Sequence, residues 1–182
     1  VLLLLAGGSA FSMYELIPQF LSRQDYSGLT VSLGDDRYSE DINASESNRG
    51  GLLAGNFIKH LHKAGASYDN ILKGKGFQET AGDFERLISK HIESNTIIIS
   101  VQGIGSDGHT LGITPYSDLE KFEQTFVKTE KLVVAHELDS IYPRRITSTL
   151  KLIQNVDRLF CYAVGEKKKE AGMLQGAKNK DK

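Results

Sequence analysis

A run of β-branched apolar residues that ends in a glycine-rich turn constrains the fold of this chain more than any other stretch. Residues 96–101 read Thr-Ile-Ile-Ile-Ser-Val, which is typical of a buried strand. The following turn, residues 102–110, contains three glycines together with Asp107 and His109. Glycine tolerates positive φ and has no side chain, so such a turn can approach a ligand closely. Open α/β sheets bind ligands at the carboxyl ends of their strands, but spacing alone fits a ligand site and a plain strand-to-helix turn equally well.

Strands and helices alternate along the rest of the chain. Apolar runs predict strands at 1–6, 29–33, 96–101, 131–135 and 159–164. Helical spacing of apolar residues predicts helices from Ser12, from Asn48, over 83–92 and over 118–126, then from Ile146 after a loop at 140–145, and finally from Gly165. Residues 64–82 give no clear prediction. The alternation indicates a doubly wound α/β layer structure.

Composition limits the size and class of the protein. The 182 residues are enough for one domain with a real core and too few for two. A net charge of −1 gives no overall positive field of the kind that marks nucleic-acid binders. No apolar segment approaches the roughly 18 residues needed to span a bilayer, and residues 1–6 lack the basic flank of a signal peptide. We therefore expect a cytoplasmic monomer or small homo-oligomer that binds neither nucleic acid nor membrane.

The cysteine and histidine residues outside the glycine-rich turn favour structural roles. Cys161 has no partner for an internal disulfide, which favours a reducing compartment. It lies in the apolar run 159–164, where a cysteine is more often a core residue than a catalytic thiol. His60 and His62 fall on the polar side of a predicted helix without acids or cysteines at ligand spacing. We interpret them as surface residues and predict no metal site.

Polar residues follow the other predicted strands as well. Gly7-Gly8-Ser9 follows the first strand and can present backbone N–H groups and a hydroxyl to an anion, although a plain turn explains it equally well. Asp35-Asp36-Arg37 follows the second strand, as a solvated loop or as part of a site. Because adjacent residues of an extended chain point in opposite directions, at most one of the two acids faces a given ligand.

The carboxyl-terminal third contributes further polar groups. His136 lies just beyond the strand at 131–135, and the pair Arg144-Arg145 lies in the predicted loop. Lys167-Lys168-Lys169 follows the last strand and Gly165. A lysine run is usually a solvated face, but one in this position can also reach a phosphate at the start of a helix.

Taken in order, these segments resemble the 6-phosphogluconolactonases. The motif G-x-G-x-D-G-H-T at 103–110 is specific to this group and to its sister family, the glucosamine-6-phosphate deaminases/isomerases. The weaker marks are Gly7-Gly8-Ser9, Gly34-Asp35-Asp36-Arg37, Ser47-Asn48, Arg145-Ile146-Thr147 and Gly165 with Lys168. The resemblance implies a Rossmann-like three-layer sandwich with a mostly parallel central sheet. It also implies hydrolysis of the sugar phosphate 6-phosphoglucono-δ-lactone to 6-phosphogluconate in the pentose phosphate pathway, without a metal or organic cofactor.

The resemblance also implies roles for individual residues. His109 would be the general base that takes a proton from the attacking water, since imidazole titrates near neutrality. Asp107 would hold or polarise the group beside it. The substrate and its phosphate would be bound by Gly7, Gly8, Ser9, Asp35, Arg37, Gly105, Arg145 and Lys168. Backbone N–H groups of the glycine-rich loops would stabilise the oxyanion.

The chain also departs from the family pattern. Ser9 is followed by Ala10 and Phe11 instead of Thr-Pro, and Asp36 replaces a glutamate. Thr114 stands where the deaminases carry a glutamate, which argues against deamination. The sequence lacks the family's N-terminal helix and C-terminal segment, so we expect a single domain over 1–182 that is short or clipped. A glucosamine-6-phosphate deaminase/isomerase and a non-catalytic sugar-phosphate-binding homologue remain as alternatives to the lactonase.

Overall fold

The computed structural model describes residues 1–20, 25–166 and 168–169 of the chain. Leu21, predicted to lie on the first helix, is outside the described residues, as is most of the helix predicted from Gly165.

Two sheets and six helices make up the described structure. The strands are β1 (Leu2–Leu5), β2 (Thr30–Leu33), β3 (Asp35–Arg37), β4 (Ser67–Tyr68), β5 (Ile98–Gly103), β6 (Val133–Glu137), β7 (Arg144–Ser148) and β8 (Arg158–Tyr162). The α-helices are α1 (Phe11–Tyr14), α2 (Asn48–Ala54), α3 (Phe57–Lys63), α4 (Phe77–Glu93), α5 (Leu119–Phe122) and α6 (Leu150–Ile153). Short 3₁₀ turns cover Gly8–Ala10 and Ile17–Phe20, and a π-helical turn covers Glu123–Val127.

The central sheet contains five parallel strands in the order β4-β2-β1-β5-β8. Helices flank this sheet, so the predicted α/β fold with a mostly parallel central sheet is confirmed. The middle strand β1 is apolar throughout, and Leu2, Leu4 and Leu5 are buried. A strand covered on both faces needs apolar residues on both, which explains why its sequence does not alternate.

A second sheet of three antiparallel strands, in the order β3-β7-β6, was not predicted. The predicted loop at 140–145 is confirmed as far as Pro143, but Arg144 and Arg145 begin β7. The helix start predicted at Ile146 is wrong, because α6 begins only at Leu150. Ile146 and Thr147 are β-branched and buried, and they pair with strands on both sides. His136, placed beyond a strand by the sequence, lies within β6.

The helices follow the predicted pattern with altered boundaries. The single helix predicted from Asn48 is divided into α2 and α3 at Gly55, where the carboxylate of Glu15 accepts the backbone N–H of Asn56. Helix α4 begins earlier than predicted and takes up the end of the unassigned stretch 64–82, which also contains β4. His60 and His62 are exposed on α3, as predicted.

The prediction that Cys161 lies in the core is wrong. Cys161 is exposed on β8, together with Leu159 and Phe160. Within the described sheet β8 is the outer strand, so an apolar run that looks like a buried strand is open here. In the described part of the chain, no helix combines the length and the apolar character needed to cross a membrane.

Candidate active site

A cleft of about 340 Å³ opens where the carboxyl ends of β1 and β5 meet the second sheet. Every predicted site residue except Asp107 lines it. The lining residues are Ala6, Gly7, Gly8, Ser9, Asp35, Arg37, Asn48, Gly103, Ile104, Gly105, Ser106, His109, Leu111, Arg145 and Lys168. The structure therefore brings together residues from six separate segments of the sequence.

The glycine-rich turn after β5 is a closed loop. The backbone N–H of Gly105 donates to the carbonyl of His109 at 2.8 Å, and that of Gly108 donates to the carbonyl of Gly105 at 3.1 Å. Gly108 has a φ of +85°, a conformation that favours glycine. A Cβ at Gly105 would collide with the imidazole of His109 and the carboxylate of Asp107. The two glycines therefore shape the loop around this acid and base.

His109 and Asp107 form a hydrogen-bonded pair at the mouth of the cleft. The Nδ1 atom of His109 lies 2.5 Å from Oδ1 of Asp107, which also accepts the backbone N–H of His109 at 3.2 Å. Burial acts to raise the pKa of Asp107, but these hydrogen bonds outweigh it and hold that pKa below its ordinary value. An ionised carboxylate can only accept, so Nδ1 carries a proton, and in the neutral ring Nε2 is then the nitrogen with the lone pair. The pair thus leaves Nε2 of the imidazole able to act as a base.

The adjacent acids of β3 point to opposite sides, as predicted. Asp35 lines the cleft, whereas the buried Asp36 accepts the backbone N–H groups of Arg37, Asn48 and Arg49 at 2.7, 2.6 and 3.2 Å. Two of these N–H groups belong to the first turn of α2, where a negative charge is favourable. Asp36 therefore ties α2 to the second sheet, and the side chain of Asp35 faces the cleft.

Burial perturbs both carboxyl groups. It raises the pKa of Asp35 to about 6, although Arg145, His109 and Arg37 lower it. Burial also raises the pKa of Asp36 to about 7, with Asp35 adding to the effect and the three backbone hydrogen bonds opposing it. The cleft therefore contains an acid that can gain or lose a proton near neutral pH.

Asn48 lines the cleft, although the sequence analysis named it only as a family mark and gave it no role in the site. Its Nδ2 donates to Oδ2 of Asp35 at 3.2 Å and to the carbonyl of Asp35 at 3.1 Å. Its side-chain amide occupies the space that a Cβ on Gly7 would need. Asn48 thus joins the first glycine turn to β3. Its place directly after the helix-capping Ser47 was the signal available in the sequence.

Two arginines lie side by side on the second sheet, where Arg37 of β3 pairs with Arg145 of β7. Arg37 donates from Nη1 to the carbonyl of Glu46 at 2.6 Å, and its guanidinium lies 4.9 Å from the ring centroid of Tyr142. Burial and the charge of Arg37 lower the pKa of Arg145, but a guanidinium remains protonated. Two neighbouring cations repel each other, so an anion bound between them would be favoured.

The first glycine turn and Lys168 form the opposite edge of the cleft. The ammonium group of Lys168 donates to the hydroxyl of Ser9 at 2.8 Å. Gly8 has a φ of +63°, and no heavy atom of the described residues lies within 4 Å of the Cβ position there. The hydroxyl of Tyr14 accepts the backbone N–H of Ala6 at 2.9 Å, which ties the end of β1 to α1. The described residues contain no cluster of three or more His, Cys, Asp or Glu side chains suited to a metal ion.

The sequence model of the family described as "Glucosamine-6-phosphate isomerases/6-phosphogluconolactonase" matches residues 1–181. The chain belongs to this family. Its cleft is lined by His109 from the glycine-rich loop and by the cationic side chains of Arg37, Arg145 and Lys168.

Two curated relatives are named 6-phosphogluconolactonase, from Chlamydia trachomatis (serovar D) and Chlamydia muridarum. Each is 27% identical over 158 residues, which cover 86% of this chain and 57% of the relative. The chain therefore spans somewhat more than half the length of these relatives.

Solved structures share the fold. A 6-phosphogluconolactonase from Shewanella baltica is similar with a TM-score of 0.73 and 24% identity, covering 96% of this chain and 71% of that protein. One from Thermotoga maritima gives a TM-score of 0.75 at 20% identity, covering 98% and 76%.

Proposed function

We propose that this chain hydrolyses 6-phosphoglucono-δ-lactone to 6-phosphogluconate. The observation that carries the proposal is the imidazole of His109, whose Nδ1 is hydrogen-bonded to Asp107 and which lines the same cleft as three cationic side chains. The names of the two chlamydial relatives support the same reaction.

The phosphate of the substrate would lie among Arg37, Arg145 and Lys168. Arginine binds phosphate oxygens through two parallel N–H groups, and lysine adds a compact point charge. The Gly7-Gly8-Ser9 turn offers a hydroxyl and an open approach beside Lys168. The fixed phosphate would hold the lactone ring at a set distance from His109, which lowers the entropic cost of reaching the transition state.

Hydrolysis would proceed by general-base catalysis. Nε2 of His109 takes a proton from a water molecule as the water oxygen bonds to the lactone carbonyl carbon. The resulting oxyanion then re-forms the carbonyl and expels the ring oxygen, which receives the proton from His109. The product carboxylic acid finally ionises and releases a proton to solvent. Asp107 supports the imidazolium that exists between these steps.

Three backbone N–H groups of the glycine-rich loop already have hydrogen-bond partners, which bears on which groups would stabilise the oxyanion. The N–H groups of Gly105, Gly108 and His109 already donate within their own loop or to Asp107. Their glycines therefore serve the shape of the loop, and the proposed donors to the oxyanion are the cationic side chains and the Gly7-Gly8-Ser9 turn.

The test is the rate of acid release from freshly generated 6-phosphogluconolactone, measured with and without the protein above the spontaneous rate. We expect acceleration by the wild type and none by His109→Ala. A folded protein that binds 6-phosphogluconate without accelerating hydrolysis would contradict the proposal and would favour the non-catalytic homologue.

Deamination and isomerisation of glucosamine 6-phosphate is a second candidate. It is favoured by Asp35, whose pKa of about 6 and place in the cleft with His109 suit proton transfer. Thr114, at the position of the deaminase glutamate, is not among the residues that line the cleft. Ammonia release from glucosamine 6-phosphate, in place of acid release from the lactone, would identify this activity.

A further inference from the structure

One face of the second sheet contributes both to the cleft and to a contact behind it. Directly opposite residues of antiparallel strands share a face, as do alternate residues of one strand. The register pairs Thr147 with Asp35, and Arg145 with both Arg37 and His136. The face that presents Asp35 and the two arginines to the cleft therefore also carries Thr147 and His136.

Both of these side chains hold the peptide groups of Gly112. The N–H of Gly112 donates to Oγ1 of Thr147 at 3.0 Å, and its carbonyl accepts from Nε2 of His136 at 3.0 Å. Since a carbonyl can only accept, Nε2 of His136 carries the proton, and Nδ1 accepts from the hydroxyl of Tyr116 at 2.7 Å. Gly112, Thr147 and His136 are all buried. Burial lowers the pKa of His136 to about 4, so the ring is neutral at neutral pH, as this arrangement requires.

Gly112 lies only three residues after His109 in the sequence. A Cβ on Gly112 would lie 2.8 Å from Cβ of Thr147, so only glycine allows this close approach. The preceding residue, Leu111, has a φ of +54° and lines the cleft. A bulky residue adopts this left-handed conformation only where its surroundings hold it there. Gly108 and Gly112 flank the base, and glycine leaves such a segment free to move unless other groups fix it.

We propose that Thr147 and His136 are positioning residues, which clamp the Gly112 peptide to the second sheet and so fix His109 opposite Asp35 and Arg145. This inference rests on the proposed lactone hydrolysis. It assigns a function to two buried polar side chains that do not touch the cleft, and it explains why the loop with the base and the sheet with the charges keep one relative position.

The decisive variant is Thr147→Val, which keeps the shape of the side chain and removes its hydroxyl. We expect kcat for lactone hydrolysis to fall roughly 10- to 100-fold, because small displacements of a base have effects of that order. Affinity for 6-phosphogluconate should stay within about threefold, since the cations are unchanged. Thr147→Ser restores the acceptor and should recover most of kcat.

Thr149→Val is the matched control. Thr149 is also buried, and its hydroxyl donates to the carbonyl of Lys131 at 2.6 Å, away from Gly112. This variant should lose stability without losing kcat. His136→Phe tests the other half of the clamp, because phenylalanine keeps a ring against Phe126 and removes the donor to Gly112. Its kcat should fall as in Thr147→Val.

Two results would overturn the inference: kcat within about twofold of wild type in both clamp variants, or an equal loss of kcat in Thr149→Val. Amide exchange at Gly112 gives a readout independent of catalysis, and should accelerate at least tenfold in Thr147→Val and remain unchanged in Thr149→Val.

If the wild type hydrolyses no lactone, the proposed function fails. The clamp is then judged by the NMR shift of the His109 ring on adding 6-phosphogluconate. That shift should change in Thr147→Val and not in Thr149→Val, and an unchanged shift in both would refute the clamp.

Discussion

The five-stranded and three-stranded sheets meet at the cleft but build its two walls by different means. Strands β1 and β5 of the parallel sheet are largely apolar and end in glycine turns, so that wall is made of loops shaped by Gly7, Gly8, Gly105 and Gly108. The second sheet presents Asp35, Arg37 and Arg145 from the strands themselves. Most of its other buried positions are also polar, namely Asp36, His136, Thr147 and Ser148, and the apolar ones are Val133 and Ile146.

Under the proposed function, the loop wall would supply the catalytic base and the strand wall would supply the groups that bind the substrate. The loop wall contains His109, which is in close contact with Gly105 and Asp107 of its own loop. The strand wall contains fixed charges, whose positions depend on pairing between distant segments. Changes to His109 and the glycines around it should therefore alter kcat, and changes to the charged side chains of the strand wall should alter ligand affinity.

The largest effect is expected from His109→Ala in the loop wall. Removing a positioned general base should lower kcat by about 10²- to 10⁴-fold. Affinity for 6-phosphogluconate should remain within a few-fold, because the cations are retained. Acid release and equilibrium binding measure the two quantities, and an undiminished rate would remove His109 from the mechanism.

Gly105→Ala tests whether glycine in the loop serves the base. The added methyl would collide with the His109 ring and the Asp107 carboxylate, so kcat should fall by about 10²-fold as the pair is displaced. Gly76→Ala is the control, since in the described part of the chain no heavy atom lies within 4 Å of its Cβ position. Equal rates for the two variants would show that the loop tolerates a shifted base.

Arg145→Ala probes the strand wall. Losing a charge-assisted contact to phosphate should weaken 6-phosphogluconate binding by roughly 10- to 100-fold, with a smaller change in kcat. Titration calorimetry measures the affinity. Unchanged affinity would remove Arg145 from the phosphate site, and a loss confined to kcat would break the division between the two walls.

The loop wall was largely predictable from sequence, and the strand wall was not. The run 96–101 and the glycine block after it have local patterns that need no tertiary information. Strand β7 was taken for a loop and a helix start, because its identity depends on pairing with β3, far earlier in the chain. Its last three residues, Ile146, Thr147 and Ser148, are all buried, but two of them are polar, and a polar residue gives no sign of burial when its hydrogen-bond partners are unknown.

Individual site residues show the same limit. The order of the family marks was enough to place His109, Arg145 and Lys168 in one cleft. The clamp on Gly112 was missed because it consists of contacts to backbone groups, which leave no pattern in one sequence. Asn48 was named as a family mark without a role, because its contacts to Asp35 appear only in the fold. Cys161 was misplaced because an apolar run does not reveal whether its strand is central or outer.

The smallest expected effect concerns Asp36, the acid of the strand wall that faces away from the ligand. Burial raises its pKa from 3.8 to about 7, so between these pH values the folded protein retains a proton that the unfolded chain has released. Raising the pH through this window therefore lowers the free energy of unfolding, by at most about 1.4 kcal/mol per pH unit for one group.

Asp36→Asn cannot titrate at this position, so urea unfolding at several pH values should give a flatter profile of unfolding free energy against pH than wild type. Asp35 still contributes a slope up to about pH 6 in both proteins, so the difference should be clearest between about pH 6 and pH 7. The exposed Asp139→Asn is the control and should reproduce the wild-type profile. Parallel profiles for Asp36→Asn and wild type would mean that Asp36 is ionised in the folded protein, stabilised by its three backbone donors and the first turn of α2.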